Sequence, residues 1–391
     1  MNRSWLKPCF ILLTSLLIST QNCGKLTPLE KILTAQEIHV ENHKRCFDDD
    51  SVQACLIAKS PVSVEQKSLT KAIDASTDFD YLINVPGVIN HLDESGFLQN
   101  TSFTVDVARG ERAQARNGQW KFLYRNDANG FYSQVHTYYW LDHAIGELIE
   151  KTGIFYAEGK NIQIKLNADK TGWNAVDNTI QLETTANGKQ AALDASLSIH
   201  LLAQANLFYA TSGKIYDLTQ DANHTDCFIG DGPTYKNDCC KTTSGCSQAI
   251  AFGQADYLVA LIFPGDPSIG ESWANDPQGM KTCALTRNLN SLANRTLQEA
   301  FTQCAEKGAP GQIFNMGLIY ASTWWEARKR IAKEGADSLK AFDTLYMKHL
   351  ALIDGKDTFV SALNKVKDLD LQLNSGKFWP QLEIEMQKRG Y

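Results

Sequence analysis

One mid-chain segment carries the residues whose types and spacing come closest to a catalytic site. The apolar periodicity of residues 193–211 predicts an α-helix, which Gly213 ends. Two histidines four residues apart on a helix, with a glutamate after the first, can hold zinc and activate water. His200 occupies the first of these positions, whereas Leu201 and Gln204 stand where the glutamate and the second histidine would be. The helix therefore offers one imidazole without the partners that hydrolysis needs.

Two other groups of polar residues could bind a metal. On the predicted helix 135–151, His136, His143 and Glu147 could face one ion. Histidines that are packed or hydrated on an aromatic helix are the preferred interpretation. The acidic run 48–50 could bind calcium, but its composition favours a solvated loop.

A hydrolase with an unfamiliar site is one alternative hypothesis. The sequence contains no Gly-x-Ser-x-Gly elbow, no Cys–His signature and no Gly-rich phosphate loop. Such an enzyme would have to combine residues with no diagnostic spacing, namely His200, His136, His143, His224, Asp226, Asp256 and Glu271.

The elements around the His200 helix change from strands to helices along the chain. Alternating apolar residues predict strands over 102–107, 119–124 and 161–166, and a turn from Asn174 that leads into a strand ending at Leu182. Helical periodicity predicts helices over 247–263, 284–303, 312–333, 337–352 and 358–367, with Asp357 as the cap of the last. This order predicts an α+β protein with a strand-rich N-terminal lobe and a mainly helical C-terminal lobe.

Composition and length are those of a globular protein with two lobes. The chain has 391 residues, of which 43% are hydrophobic and 21% charged, and its net charge of −6 comes without a basic patch. Nucleic-acid binding is therefore not expected. We predict four parts: a signal peptide over 1–22, a polar tether with a small disulfide-stapled segment over 23–66, a strand-rich lobe over 67–190, and a helical lobe over 191–391 with a cysteine-rich loop at 214–248.

The N-terminus has the features of an export signal. Arg3 and Lys7 precede the apolar run 10–18, which is too short to span a bilayer. Cys23 follows this run and suits lipid attachment after cleavage, which would anchor the chain in a membrane. The residues just before Cys23 are larger than such a site usually has, so a plain secretory signal stays open. Both interpretations place the protein outside the cytoplasm, either lipid-anchored in a bacterial cell envelope, at the outer membrane or in the periplasm, or secreted.

The cysteines predict disulfide bonds. Without Cys9 and Cys23, an even number remains, as expected for an exported chain. Local pairing would join Cys46 to Cys55 and Cys283 to Cys304, and the other four would pair with one another in the long loop. The alternative is a zinc knot, but adjacent cysteines suit tetrahedral ligation poorly. The four loop cysteines are Cys227, Cys239, Cys240 and Cys246.

Five segments, in this order, resemble the thermolysin-type zinc metallopeptidases, and more closely their fungalysin branch. They are 135–154, the pair Asn174-Ala175, 253–257, 317–328 and 358–366. The resemblance implies a zincin-like fold and makes this chain a degenerate member. Phe252 then stands where the third zinc ligand should be. Asp256 is the acid that orients a metal-binding histidine, here predicted to be left without a partner. Ile313 or Phe314 replaces the histidine that stabilises the intermediate.

The resemblance implies an inactive relative of these peptidases, without a metal or another cofactor. If the cleft between the lobes persists, it would bind a peptide or a protein by strand addition near 174–182. The alternatives are an active metallopeptidase or hydrolase with an atypical site, and a structural, membrane-anchored lipoprotein of unrelated fold.

Overall fold

The computed structural model describes residues 35–60, 83–123, 130–184, 190–216, 246–270, 287–302 and 309–391. Within them the chain is a mixed α+β protein, as predicted. One buried hydrophobic cluster extends from Cys46 to Met386, through both predicted lobes. Several predicted features lie outside the described residues, namely the signal peptide, Cys23, Cys227, Cys239, Cys240, Cys283, Cys304, His224, Asp226 and Glu271.

The segment predicted as a polar tether contains a helix and a buried strand. Helix α1 is Ala35–Asp48, and strand β1, Ala54–Leu56, pairs antiparallel with β2, Val85–Gly87. The predicted disulfide between Cys46 and Cys55 is confirmed and joins α1 to β1 inside the core. Sequence analysis missed the helix because its composition is mostly polar. This region is therefore part of the folded body.

The main sheet has four strands in the order β3–β4–β6–β5. Strands β3 (Phe103–Val107), β4 (Ile162–Ala168) and β6 (Thr179–Glu183) are parallel, and β5 (Gly172–Asn174) is antiparallel to β6. The predicted strands 102–107 and 161–166 are thus confirmed. Among the described residues β5 pairs only with β6 and forms an edge of this sheet, whereas β6 lies inside it.

The predicted strand over 119–124 is wrong. Trp120 and Phe122 alternate into the core, as a strand would place them, but residues 120–123 join no sheet. The backbone N–H of Trp120 instead donates to the backbone carbonyl oxygen of Gln53, at 2.7 Å. The alternation of apolar and polar residues therefore reflects the burial of one side of an extended segment and does not indicate strand pairing.

Eight helices follow α1 in the described residues. They are α2 (Phe131–Thr152), α3 (Ala195–Ala210), α4 (Ser247–Ile262), α5 (Leu297–Thr302), α6 (Ala309–Ile331), α7 (Ala336–Leu350), α8 (Phe359–Asn374) and α9 (Trp379–Arg389). The predicted helices 135–151, 193–211, 247–263, 312–333 and 337–352 are confirmed. None of the helices in the described part of the chain combines the length and apolarity needed to cross a membrane.

Three helix predictions differ from the structure. The helix expected over 284–303 is replaced by a 3-10 turn, Leu289–Leu292, and the short α5. Helix α8 is longer than predicted, and its cap is Thr358, which forms a capping box with Ser361, rather than Asp357. Helix α9 was not predicted. Asp357 instead accepts a hydrogen bond from the Ser361 hydroxyl, at 2.7 Å.

The crossing of α4 and α6 is unusually close because both helices carry glycine there. A Cβ on Gly253 would lie 2.4 Å from the Gly317 carbonyl oxygen, and a Cβ on Gly317 would lie 2.7 Å from the Ala249 carbonyl oxygen. Neither position can therefore hold a larger residue without moving a helix. On its other side α4 packs against α3. This arrangement places the His200 helix beside residues of α4 and α6.

Candidate functional site

Helix α3 fixes the position of His200. Asp194 caps the helix by accepting a hydrogen bond from the Leu197 N–H, at 3.2 Å, and it also accepts one from the Ser196 hydroxyl, at 2.5 Å. Gln204 follows His200 by one turn, and its side-chain nitrogen lies 3.0 Å from His200 Nε2. The two positions that correspond to the pair of histidines in the zinc motif therefore face each other, one as histidine and one as glutamine.

Helix α4 brings a carboxylate to the other side of the ring. Asp256 Oδ1 lies 2.7 Å from His200 Nδ1, and both side chains are almost completely buried. Arg287, from the segment before the 3-10 turn, places Nη2 2.5 Å from the same oxygen. Asp256 therefore has two partners, and the prediction that it would be left without a histidine is wrong. The close packing of α3 on α4 explains the contact.

The charges of this group are settled by burial and by Arg287. Burial lowers the pKa of His200; Asp256 opposes this effect and Arg287 reinforces it. Burial alone would raise the pKa of Asp256, but Arg287 and His200 outweigh it and hold that pKa below its usual value. At neutral pH the site therefore contains an Asp256–Arg287 ion pair and a neutral imidazole.

The hydrogen bonds assign the proton of the neutral ring. Nδ1 lies 2.7 Å from the Asp256 carboxylate, which only accepts, and 3.3 Å from Arg287 Nη2, which only donates; we assign the proton to Nδ1 because the contact with the carboxylate is the shorter one. Nε2 is then an acceptor and takes a hydrogen bond from the Gln204 amide. A histidine that binds a metal through Nε2 typically donates its Nδ1 proton to such a carboxylate. The orientation is that of a ligand, but the amide occupies the lone pair.

Aromatic rings cover the group. The Phe252 ring is parallel to His200, with centroids 5.9 Å apart, and Phe314 contacts Phe252 with centroids 4.5 Å apart. Leu201 is buried in the core, 4% exposed. Of the predicted positions, the structure thus brings together His200, Gln204, Phe252, Asp256 and Phe314, while Ile313 lies on α6 and its side chain is outside the described part.

These residues do not fit a catalytic zinc site. Such a site needs three protein ligands and one open position. His200 Nε2 is engaged by Gln204, the Asp256 carboxylate is engaged by Arg287, and Phe252 has no donor atom. Among the residues described, no three histidine, cysteine, aspartate or glutamate side chains form a group that could hold a metal ion.

The other candidate metal face separates into unrelated contacts. His136 is buried, with Nδ1 3.1 Å from the Ala192 carbonyl oxygen, and burial lowers its pKa to about 4. His143 stacks on Tyr139, with centroids 6.1 Å apart. Glu147 pairs with Lys151 at 2.6 Å. The histidines of α2 are thus packing residues, as the preferred interpretation expected.

Arg287 was missed by sequence analysis. It lies in a polar stretch that was predicted to be helical, and no spacing relates it to Asp256, which is 31 positions away. Its position comes from a short pairing of backbone segments, in which the Ile269 N–H donates to the Arg287 carbonyl oxygen at 2.8 Å. This tertiary pairing brings the guanidinium to the carboxylate.

The face of α3 that carries His200 and Gln204 continues to an aromatic cluster. Phe208 is one further turn along and contacts Trp173 of the edge strand β5, with ring centroids 6.1 Å apart. Tyr216 also contacts Phe208 and donates from its hydroxyl to the Gln204 carbonyl oxygen, at 3.2 Å. The buried polar group and the edge of the sheet thus lie along one side of the same helix.

Comparison with known proteins assigns no family to this chain. No protein-family model matches it, and no curated protein matches it significantly.

Proposed function

We propose that this protein is a catalytically inactive relative of the thermolysin/fungalysin peptidases that binds an extended peptide or protein segment. In this proposal it has a zincin-like arrangement of lobes and works outside the cytoplasm, either anchored through a lipid on Cys23 or secreted. The observation that carries the proposal is the set of contacts that surrounds His200 at the candidate centre. His200 has the orientation of a ligand, but Gln204, Phe252 and Arg287 leave it no metal-binding partners.

The edge strand supports a binding role. In an antiparallel edge strand, alternate residues direct their N–H and C=O groups away from the sheet, and an extended peptide can pair with them. Strand β5 provides this edge among the described residues, next to α3. The surface predicted for strand addition, 174–182, must therefore be corrected, since Thr179–Glu183 is the inner strand β6.

The metal-binding part of the proposal is tested by metal analysis. Protein purified without chelators should contain no stoichiometric zinc. The double variant Gln204→His, Phe252→Glu supplies two ligands beside His200 and should gain one zinc per chain. The matched variant Gln204→Leu, Phe252→Glu lacks the second imidazole and should gain none. Stoichiometric zinc in the wild type that is lost in His200→Ala would contradict the proposal.

The binding part is tested with backbone-modified peptides. A random heptapeptide library is passed over the immobilised chain, and retained sequences are resynthesised with N-methyl groups on alternate residues. Strand addition uses one edge of the peptide, so methylation along that edge should abolish binding while methylation along the other edge should not. Equal effects of the two patterns, or no retained peptide, would reject strand addition.

The export part is tested separately. The Cys23→Ala variant should leave the membrane fraction if Cys23 carries a lipid, whereas Cys9→Ala should remain there. Unchanged fractionation of Cys23→Ala would count against the anchor and would leave a plain secretory signal.

A further inference from the structure

We propose that Lys59 is a positioning residue that holds Arg287 against Asp256 and His200. Lys59 lies just after strand β1, in the segment that was predicted to be a polar tether. The inference concerns the buried polar group alone and goes beyond the proposed function, since it does not depend on whether a peptide binds. It follows from consecutive sets of contacts that lead from the lysine to the guanidinium.

Lys59 is held by its backbone as well as by its side chain. Its φ of 50° lies in the left-handed region, which is uncommon for a residue other than glycine. Its carbonyl oxygen accepts a hydrogen bond from the N–H of Ala195, the first residue of α3, at 2.8 Å. Its side chain is 7% exposed. The lysine is therefore buried and is anchored to the N-terminal end of the helix that carries His200.

The ammonium group of Lys59 contacts the segment that follows α4. Nζ donates to the carbonyl oxygen of Asp266 at 2.7 Å, to its Oδ2 at 2.8 Å and to the Ser268 hydroxyl oxygen at 2.7 Å. Ser268 in turn donates to Asp266 Oδ1, at 2.6 Å. Burial would raise the pKa of Asp266, but hydrogen bonds from Lys59 and Ser268 hold it below its usual value. At neutral pH a charged pair with no spare ammonium donor therefore fixes residues 266–268.

The segment after α4 also holds the backbone of Arg287. The Ile269 N–H donates to the Arg287 carbonyl oxygen, at 2.8 Å. Ser268, which binds the ammonium group, lies opposite Asn288 in the same short antiparallel pairing. A displacement of Ser268 would therefore displace the backbone that carries the guanidinium.

The guanidinium group of Arg287 has few contacts of its own. Nη2 lies 2.5 Å from Asp256 Oδ1 and 3.3 Å from His200 Nδ1. Nε is buried and has no hydrogen-bond partner in the described part of the chain. The position of the group therefore depends on where the backbone places it. Because Lys59 fixes the segment that pairs with this backbone, loss of the lysine contacts should let Arg287 move away from the carboxylate.

Hydrogen–deuterium exchange measures the first step of this coupling. In Lys59→Met, whose side chain has a similar length but no charge, the Ile269 amide should exchange at least about tenfold faster than in the wild type, since a hydrogen bond to a charged group contributes this much. The Val105 amide of β3, which donates to a carbonyl in another segment, should be unchanged. Equal acceleration of both amides, in Lys59→Met and in the milder variant Asp266→Asn alike, would overturn the proposal.

Lys365→Met is the matched control. Lys365, on α8, also donates from its ammonium group to three oxygen atoms, which belong to Leu352, Asp354 and Asp357. Its replacement removes a comparable set of hydrogen bonds and should leave exchange of the Ile269 amide unchanged. Lys59→Arg, which restores the positive charge, should recover part of the protection. The same acceleration in Lys365→Met as in Lys59→Met would show that the coupling is not specific, which contradicts the proposal.

The NMR titration of His200 separates positioning from a simple loss of charge. Asp266→Asn removes an anion, which through its charge alone would lower the pKa of a nearby histidine. Release of Arg287, a cation that lowers the pKa of His200, would instead raise it. We therefore expect His200 to titrate at a higher pH in Asp266→Asn than in the wild type. Titration at an unchanged or lower pH would overturn the proposal.

A double variant tests whether Lys59 acts through Arg287. If it does, His200 in Lys59→Met, Arg287→Met should titrate as in Arg287→Met alone, because the guanidinium is already absent. A further rise in the double variant would show that Lys59 acts on His200 by another route and would reject its role as a positioning residue. These outcomes are independent of the zinc and peptide experiments.

Discussion

Two of the regions in the described part of this protein that bury charge do so differently. Near the C-terminus, Glu385 contacts both Arg330 and Arg389, and every guanidinium nitrogen of Arg389 has a partner. Near His200, Asp256 pairs with Arg287, whose Nε is buried and has no hydrogen-bond partner among the described residues. In the first region Glu385 and Arg389 are fully buried and hydrogen-bonded, as expected for a structural cluster. The second is incompletely satisfied and lies under half-buried aromatic rings, as expected where a ligand binds.

The largest effect should come from breaking the C-terminal cluster. Glu385→Ala would leave two guanidinium groups without a carboxylate, one of them completely buried. We expect the free energy of unfolding to fall by about 3–5 kcal/mol, measured by urea denaturation. Glu383→Ala, on the exposed side of the same helix, should change it by no more than about 0.5 kcal/mol. Similar losses in the two variants would show that the cluster is not structural.

Acid should act on the fold through buried histidines outside the candidate site. Burial lowers the pKa of His349 to about 3 and that of His136 to about 4. The unfolded chain binds these protons near pH 6.5, so the stabilisation is complete above that pH and is lost as the pH falls towards the folded pKa values. At pH 4, each of these histidines should lower the free energy of unfolding by about 3 kcal/mol.

Urea denaturation between pH 7 and pH 4 measures this loss. A His349→Gln variant should show a weaker dependence on pH than the wild type, and His91→Gln, at an exposed histidine, should not. A flat profile in the wild type would contradict the neutral, buried state of both rings.

The α4–α6 crossing connects the two regions and should not tolerate a side chain. Gly253→Ala would place a Cβ against the Gly317 carbonyl and force the helices apart. We expect the free energy of unfolding to fall by about 2 kcal/mol. Phe252 and Asp256, on the same helix, should move with it. Gly146→Ala, where a Cβ would meet nothing within 4 Å, is the control and should stabilise helix α2 slightly.

The smallest effect should come from the charge at the candidate site. Arg287→Met removes a cation that lowers the pKa of His200, so His200 should bind a proton more readily and replace the lost partner of Asp256. We expect the free energy of unfolding to fall by only about 1 kcal/mol, because the charge-assisted hydrogen bond from Arg287 to Asp256 is exchanged for one from protonated His200. The NMR resonances of His200 should titrate at a higher pH in the variant than in the wild type. An unchanged pKa of His200 would show that Arg287 does not set its charge.

Much of the fold was predictable because its elements have regular apolar periodicity. Helices α2, α3, α4, α6 and α7 and strands β3 and β4 were predicted close to their observed bounds. The errors fell in segments whose apolar pattern is not accompanied by the strand pairing or the helix that the pattern predicts. Residues 119–123 alternate without a neighbouring strand, and the segment around Arg287 follows a backbone pairing rather than a helix.

The amino-acid sequence by itself determined what three of the side chains near His200 can do chemically. The side chains at 201, 204 and 252 offer neither a general base nor further zinc ligands wherever they lie. Tertiary structure alone decided which partners His200 has. The glycine-mediated crossing of α4 and α6 and the close packing of α3 on α4 place Asp256 against His200, and a distant backbone pairing supplies Arg287. A local pattern fixes the type of each side chain, but contacts between segments far apart in the chain fix its partner and its charge.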